Sequence, residues 1–213
     1  MGAHNHPEIT LTGVAMQKSL TAWHDLDLAA LRAIFAADAA KLAAAGADLF
    51  VLPDNSAHVA LEAHGPPFPL PCLHIAEVVA EQAQAERRRR VAILGTHWTV
   101  EGPVYPAALA RHSIDWEIPQ EADRAIVHDV IMDELCLGIF RDEARTEFQR
   151  IIGDLGERGC DAVALACTEI PLLIDAESSP LPILDSTRLL AAAAVEVALG
   201  DRPLPTWRGG VFA

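Results

Sequence analysis

An α/β fold is predicted from three observations. Helical and strand-like patterns alternate along the 213 residues, which is the signature of βα units around a mostly parallel sheet. An internal repeat divides the chain: PLPCLHIAEVVAEQA from Pro69 answers PLPILDSTRLLAAAA from Pro180, and FVLPDNSAH from Phe50 answers ALACTEIPL from Ala164 at almost the same separation. Hydrophobic residues make up 51% and charged residues 22%, enough for a real core and too apolar for a disordered chain. The expected architecture is therefore two pseudo-symmetric subdomains, residues 1–90 and 91–185, each a mostly parallel sheet flanked by helices, followed by a C-terminal helix and tail over 186–213. The second half opens with the strand and turn VAILGTHWT. The first half shows no counterpart, so it is expected to lack its N-terminal strand, turn and helix and to start at its second strand.

In order, Glu8–Val14 reads as that strand, and the Ala/Leu-rich stretch Leu28–Ala45 as a helix closed by Gly46. Ala47–Pro53 is a short buried strand that runs through Asp54-Asn55-Ser56 into another helix, broken at Gly65-Pro66-Pro67. Leu70–Ile75 follows as a strand and Glu77–Glu86 as a helix. The tetrad Arg87–Arg90 reads as a solvated turn with side-chain pairs rather than an anion site, because an acidic helix precedes it. Val91–Leu94 is a strand ending in Gly95-Thr96. Tyr105–His112 is a helix, Asp115–Ile118 a strand, and two helical regions follow, Asp123 to about Phe140 and Arg141–Arg158, the latter closed by Gly159. Cys160–Ala166 is a buried strand interrupted by Cys167-Thr168-Glu169, with Pro171 suited to a first helical turn. Leu181–Leu184 and Ser186–Leu199 complete the order, and the tail DRPLPTWRGGVFA reads as a surface strap.

Charge and composition exclude several functions. Lys+Arg number 16 against 30 Asp+Glu, a formal charge of −14, the wrong sign for gripping a phosphate backbone, so no nucleic-acid partner is expected. The opening MGAHNHPEIT shows no basic n-region and apolar h-region, and no apolar run approaches the roughly 18 residues of a membrane span, so a soluble, cytoplasmic protein without a membrane partner is expected. Cys72, Cys136, Cys160 and Cys167 form no C-x-x-C pair, which argues against a disulfide framework or zinc site. Cys72, Cys136 and Cys160 lie in apolar patterns and read as core thiols. His4 and His6 suggest at most a weak metal site in a flexible start, and His58 and His74 read as structural or supporting histidines. Walker A, G-x-G-x-x-G and G-x-S-x-G motifs do not occur.

The repeat places Asp54 and Cys167 at corresponding positions, each at the carboxyl end of a strand and the start of a helix. That edge is where open parallel sheets bind ligands. A helix N-terminus favours a thiolate and an anionic carboxylate, and two such ends facing one carbon would suit removal of a proton from one face and delivery to the other.

On these residues a resemblance can be stated. PDNSAH, PCLHIAE, LGTHWT, EADRAIVHDVIMDELCLG and CTEIPLL, in this order between Glu8 and Leu199, resemble the aspartate/glutamate racemase family, which works without pyridoxal phosphate. The resemblance implies two-base racemisation with a cysteine on each side of the substrate α-carbon, two pseudo-symmetric subdomains, an amino acid or related carboxylate as substrate, commonly a homodimer, and no metal or organic cofactor. Cys167 matches the second catalytic cysteine. Thr168 matches a residue that helps hold the substrate carboxylate. Asn55 and Ser56 match the substrate-binding pair after the first cysteine, and Thr96 and Thr99 fall in the matching G-T-x-x-T turn.

Asp54 departs from the family pattern, which usually places cysteine there. A free carboxyl has a pKa of about 3.9, so Asp54 would act as a base, and as an acid only if burial or a neighbouring thiolate raised it. It equally suits an N-cap of the helix that follows. The expected function is thus a cofactor-independent amino-acid racemase or epimerase with Cys167 and Asp54 as acid/base groups. The alternatives are a single-cysteine isomerase or decarboxylase of the same superfamily, or an inactive small-molecule-binding relative.

Overall fold

The computed structural model describes residues 6–212; His4 lies outside them. Nine α-helices and four strands follow one another in these residues: α1 (Gln17–His24), α2 (Leu28–Ala44), α3 (Ala57–Glu62), α4 (Ile75–Ala85), β1 (Arg90–Leu94), α5 (His97–Val100), α6 (Val104–Arg111), β2 (Asp115–Glu117), α7 (Glu121–Asp133), α8 (Asp142–Glu157), β3 (Ala162–Leu165), β4 (Ile183–Asp185) and α9 (Ser186–Leu199). Two compact units result, one made of Met1–Leu52, Ala57–His74 and Ala191–Ala213, the other of Pro53–Ser56 and Ile75–Leu190.

The second unit carries the α/β architecture. Its sheet has the order β2-β1-β3-β4 with every pair parallel, β1 and β3 in register from Val91↔Ala162 to Leu94↔Leu165. The central strands β1 and β3 are continuously apolar, RVAIL and AVAL, because both faces are covered. One face buries Ala92, Leu94, Val163 and Leu165 against Val127 and Ile131 of α7 and Phe148, Ile151, Ile152 and Leu155 of α8. The helix α8 shows why this works: its apolar residues recur at Ala144, Phe148, Ile151, Ile152 and Leu155, three or four apart, so they form a single stripe. Two side chains of the arginine tetrad, Arg88 and Arg90, form the expected pairs. Arg88 bridges Glu86 at 2.7 Å, Arg90 bridges Glu117, and the backbone N–H groups of Arg89 and Arg90 donate to the Asp161 carboxylate at 2.9 and 3.2 Å.

The first unit corrects the sequence reading. Glu8–Val14 forms no strand; it has no ladder partner among the described residues, and Ile9 and Leu11 are 82% and 94% exposed. Ala47–Pro53 and Leu70–Ile75 meet only through one parallel bridge, Phe50↔Cys72. The C-terminal tail takes up much of the remaining backbone hydrogen bonding: the N–H groups of Phe68 and Cys72 donate to the carbonyls of Arg208 and Trp207, both at 2.8 Å, and that of Gly210 to Leu61 at 2.9 Å. The tail is thus a strap anchored backbone to backbone. Arg32, 5% exposed, donates to the carbonyls of Leu61 and Pro66 and lies 4.3 Å from the Phe68 ring centroid. Gly209, at φ +86°, passes so close that a Cβ there would fall 2.5 Å from the Phe68 ring. Helix α2 matches its sequence signals, with the Asp27 carboxylate accepting from Ala30 N at its start and Gly46 at φ +89° beyond its end. Helix α1 was not foreseen, because its eight residues have no side-chain cap and a mixed surface.

Candidate active site

All seven residues singled out in the sequence fall in the second unit, at the carboxyl edge of its parallel sheet or in the Pro53–Ser56 segment. The centre of that edge is set by β1 and β3. Beyond the Leu94↔Leu165 pair the ladder continues for one bond, Ala166 N donating to Leu94 O at 2.7 Å, and then both strands turn away. Gly95 is required here by space: a Cβ at this position would lie 2.6 Å from Ala166 O. Thr96 and Cys167 therefore leave adjacent strands side by side.

From β1 the chain enters the single turn α5, with Thr96 at φ −62°, ψ 158° before it and Thr99 and Val100 donating their N–H groups back to Thr96 O at 3.0 Å. This brings the Thr96 and Thr99 hydroxyls to one side, 3.4 Å apart, and the Ser56 hydroxyl completes a triangle at 3.0 and 2.9 Å from them. Three hydroxyls that can each donate and accept form a cradle suited to a carboxylate. Ser56, Thr96 and Thr99 are thus brought together by the fold.

Asn55 is held differently. Its side chain is 3% exposed and both its ends are engaged: Tyr105 Oη donates to Oδ1 at 2.6 Å, and Nδ2 donates to Ser186 Oγ at 3.0 Å, whose own proton goes to Leu165 O at 2.8 Å. The chain of bonds ties the Pro53–Ser56 segment to the end of β3 and the first residue of α9. Asn55 therefore positions its neighbours, and Tyr105 and Ser186 join the site as supports that no local motif in the sequence marks.

After β3 the structure departs from the expected helix. Only a three-residue 3-10 turn, Ile170–Leu172, follows, with Pro171 in its first positions. The thiol is not ionised by a helix terminus. Cys167, 8% exposed, donates its S–H to Glu169 Oε2 at 3.0 Å, and Thr168 Oγ1 donates to the same oxygen at 2.7 Å. Burial pushes the Cys167 thiol well above its ordinary pKa, and the Glu169 charge adds to the shift. In the sequence Glu169, adjacent to Thr168 in CTEIP, reads only as part of an interruption of the strand; the polar run beside a cysteine at a strand end is the available signal.

Asp54 is exposed. Of the other cysteines, Cys72 and Cys160 are buried as expected, whereas Cys136 is exposed, on the 3-10 turn Leu135–Leu137 after α7. It is Leu135, 2% exposed, that packs into the apolar cluster with Cys167 and Ile170. His58 and His74 belong to the first unit; both are buried, and His74 Nε2 lies 3.0 Å from Glu62 Oε1, a structural arrangement. Among the described residues no group of three or more His, Cys, Asp or Glu side chains is arranged to hold a metal ion, and no helix is long and apolar enough to cross a membrane.

Comparison with known proteins places this geometry in context. The family model Asp/Glu/Hydantoin racemase matches residues 1–194. The broad specificity amino-acid racemase RacX of Bacillus subtilis (strain 168) is 27% identical over 164 residues, spanning 76% of this chain and 69% of that protein. A glutamate racemase of Pseudomonas aeruginosa is 28% identical over 167 residues, 75% of this chain and 60% of its own length, so the chain spans less than two thirds of that relative. Among solved structures, a protein from Yersinia pestis taken to be an Asp/Glu racemase superposes with a TM-score of 0.80 at 30% identity, covering 93% of this chain and 87% of the other. An aspartate racemase homologue from Pyrococcus horikoshii OT3 shares the fold, with a TM-score of 0.75 at 21% identity over the same shares.

Proposed function

Because the chain belongs to the Asp/Glu/Hydantoin racemase family, we propose that it is an amino-acid racemase or epimerase that acts by removing and returning the substrate α-proton without an organic cofactor. The observation that carries this reading is the Cys167 thiol hydrogen-bonded to the Glu169 carboxylate at the end of β3. A thiol must lose its proton before it can take one from carbon, and a carboxylate 3.0 Å away is placed to receive it. The hydroxyls of Ser56, Thr96 and Thr99 hold the substrate carboxylate and donate to it as charge delocalises into it on loss of the α-proton. Thr168, whose hydroxyl donates to Glu169, orders that carboxylate; turned instead toward the substrate, the same hydroxyl would donate to its carboxylate. Asp54 supplies a second carboxylate at this edge, a base for the opposite face.

Proton NMR in deuterated buffer tests this reading with single L- and D-amino acids, aspartate and glutamate first. Loss of the α-proton signal with formation of the other enantiomer, both abolished in Cys167→Ala, is the expected result. No exchange with any amino acid by a folded protein would refute it. Exchange without inversion would favour the second reading, a single-cysteine isomerase or decarboxylase, which the carboxylate at position 54 supports because only one thiol then stands at the two matched strand ends.

A further inference from the structure

We propose that His128 is a positioning residue for the substrate cradle: as a neutral imidazole packed against His97 and Trp98 it fixes the α5 turn that carries the Thr96 and Thr99 hydroxyls, and on gaining a proton it releases that turn. The inference rests on the reading of Ser56, Thr96 and Thr99 as the holders of the substrate carboxylate. It takes up two histidines, one from LGTHWT and one from EADRAIVHDVIMDELCLG, that the proposed chemistry leaves unused.

The α5 turn cannot fix itself. It has four residues, Thr96 before it makes no side-chain cap, and a helix of that length is not stable in water alone. Its placement is therefore set by what touches it. Thr96 and Thr99, three apart and so on one side, meet the Ser56 hydroxyl. The residues between them, His97 and Trp98, meet His128 of α7. The His97 and His128 ring centroids stand 4.0 Å apart with the planes at 52°, and those of Trp98 and His128 are 5.2 Å apart, edge to face. His97 also contacts Trp98, at 4.4 Å between centroids. Three half-buried rings thus tie the turn to α7 while its threonines face Ser56.

Helix α7 is a firm base for this contact. It runs for 13 residues, and Val127 and Ile131, each 1% exposed, anchor it in the apolar cluster over the sheet on either side of His128 in the sequence. A ring that follows a core residue by one position on a long, packed helix has little freedom of placement. His128 therefore passes the position of the sheet and its covering helix on to the four-residue turn.

Charge decides when the contact holds. The titratable groups facing His128 are His97 and Glu101 from α5 and its end, and Asp129 and Asp133 from α7 itself; Glu101 is also bridged by Arg124 at 3.1 Å. Burial and then His97 oppose a charge on the ring, the three carboxylates favour it, and the opposition prevails, so His128 takes a proton less readily than an ordinary histidine. Its Nδ1 is buried with no hydrogen-bond partner among the described residues. An imidazolium carries N–H on both nitrogens, so a proton gained there must be brought out to water or to a carboxylate, which draws the ring away from His97. The contact is present at neutral pH and is lost as the pH falls below the ordinary histidine value of about 6.5.

The KM for α-proton exchange, followed by proton NMR from about pH 8 to about pH 5.5 in the parent chain and in His128→Phe, tests the assignment. Phenylalanine keeps a ring against His97 and Trp98 and takes no proton. Ionisations elsewhere act on both chains alike, so the ratio of parent KM to variant KM isolates residue 128. That ratio is expected to rise by about twofold or more toward the acid end, with the ratio of kcat values steady. A constant KM ratio would overturn the proposal, because a merely structural role shifts KM equally at every pH. A parent chain with no exchange toward any amino acid would refute the racemase reading instead, and the positioning is then read without substrate or variant. In amide-correlation NMR spectra of the parent, the N–H groups of Thr99 and Val100, which donate to Thr96 O, should shift together with the His128 ring, at a midpoint below about pH 6.5. Amides that stay in place while the ring titrates would overturn the proposal.

Discussion

Gly95→Ala tests whether the edge of the sheet is built as tightly as the site requires. The added Cβ would stand 2.6 Å from Ala166 O, 3.3 Å from Ala166 C and 3.4 Å from Thr99 Cβ. Two of the three obstacles are backbone atoms of the adjoining strand, which cannot rotate away, so Leu94–Thr96 or Leu165–Cys167 must shift. Overpacking of this kind costs about 1–3 kcal/mol. For a chain of this size each kcal/mol lowers the thermal midpoint by roughly 2–4 °C, so a fall of about 4–8 °C is expected for a mid-range cost of about 2 kcal/mol. The control has the opposite sign. Gly153 lies within α8 with nothing within 4 Å of a built Cβ, so Gly153→Ala should stabilise by about 0.5–1 kcal/mol through helix propensity alone. Calorimetry or circular-dichroism melting of the two variants reads both effects. The contact also joins the strands that carry Thr96 and Cys167, so Gly95→Ala should lose activity beyond what its stability loss explains. A Gly95→Ala chain that melts within about 1 °C of the parent would refute the steric reasoning.

Three further outcomes are expected. Glu169→Gln should leave the fold intact and lower the rate of α-proton exchange by about 100-fold or more, read by the same NMR assay, because the amide no longer takes the Cys167 proton. Tyr105→Phe removes the donor to a buried acceptor, Asn55 Oδ1, and should cost about 1–3 kcal/mol in urea unfolding; a neutral result would show that Asn55 is satisfied by another route. Buried thiols make stability depend on pH. Burial raises both Cys72 and Cys167, so above the unfolded thiol pKa of about 8.5 the native state holds protons that the unfolded chain releases. Stability is fully present below that pH and declines as it rises, by about 1.4 kcal/mol per pH unit for each such thiol. Urea midpoints between pH 7.5 and 9.5 should therefore fall, and fall less steeply in Cys72→Ala; a flat profile would contradict the burial of these groups.

The alternation of apolar strands and helical stripes was enough to locate β1, β3, α2, α8 and α9 within a residue or two, because continuous runs such as VAIL and AVAL and the three-four spacing of α8 are local signals read by the chain itself. The sequence likewise singled out seven candidate residues, all of which the fold gathers in the second unit, since a strand that ends in a polar motif points to the carboxyl edge of a parallel sheet wherever it lies in the fold. Local pattern failed where a partner decides. Glu8–Val14 has the alternation of a strand, but a strand exists only with a neighbour to bond, and none is present among the described residues. Cys136 sits in the apolar run LCLG and reads as core, yet a tight turn after α7 buries Leu135 and turns its neighbour outward. The surroundings of Cys167 likewise depend on the fold: the sequence suggests a helix terminus, which would favour a thiolate, while the folded chain supplies a short 3-10 turn, an apolar surround and a carboxylate that push the thiol pKa upward. Residue types and their order along the chain thus determined which groups are available for chemistry. Which of them meet, which are dry and where the protons rest was decided by the tertiary structure, because burial and charge act through space and are absent from the sequence as a string.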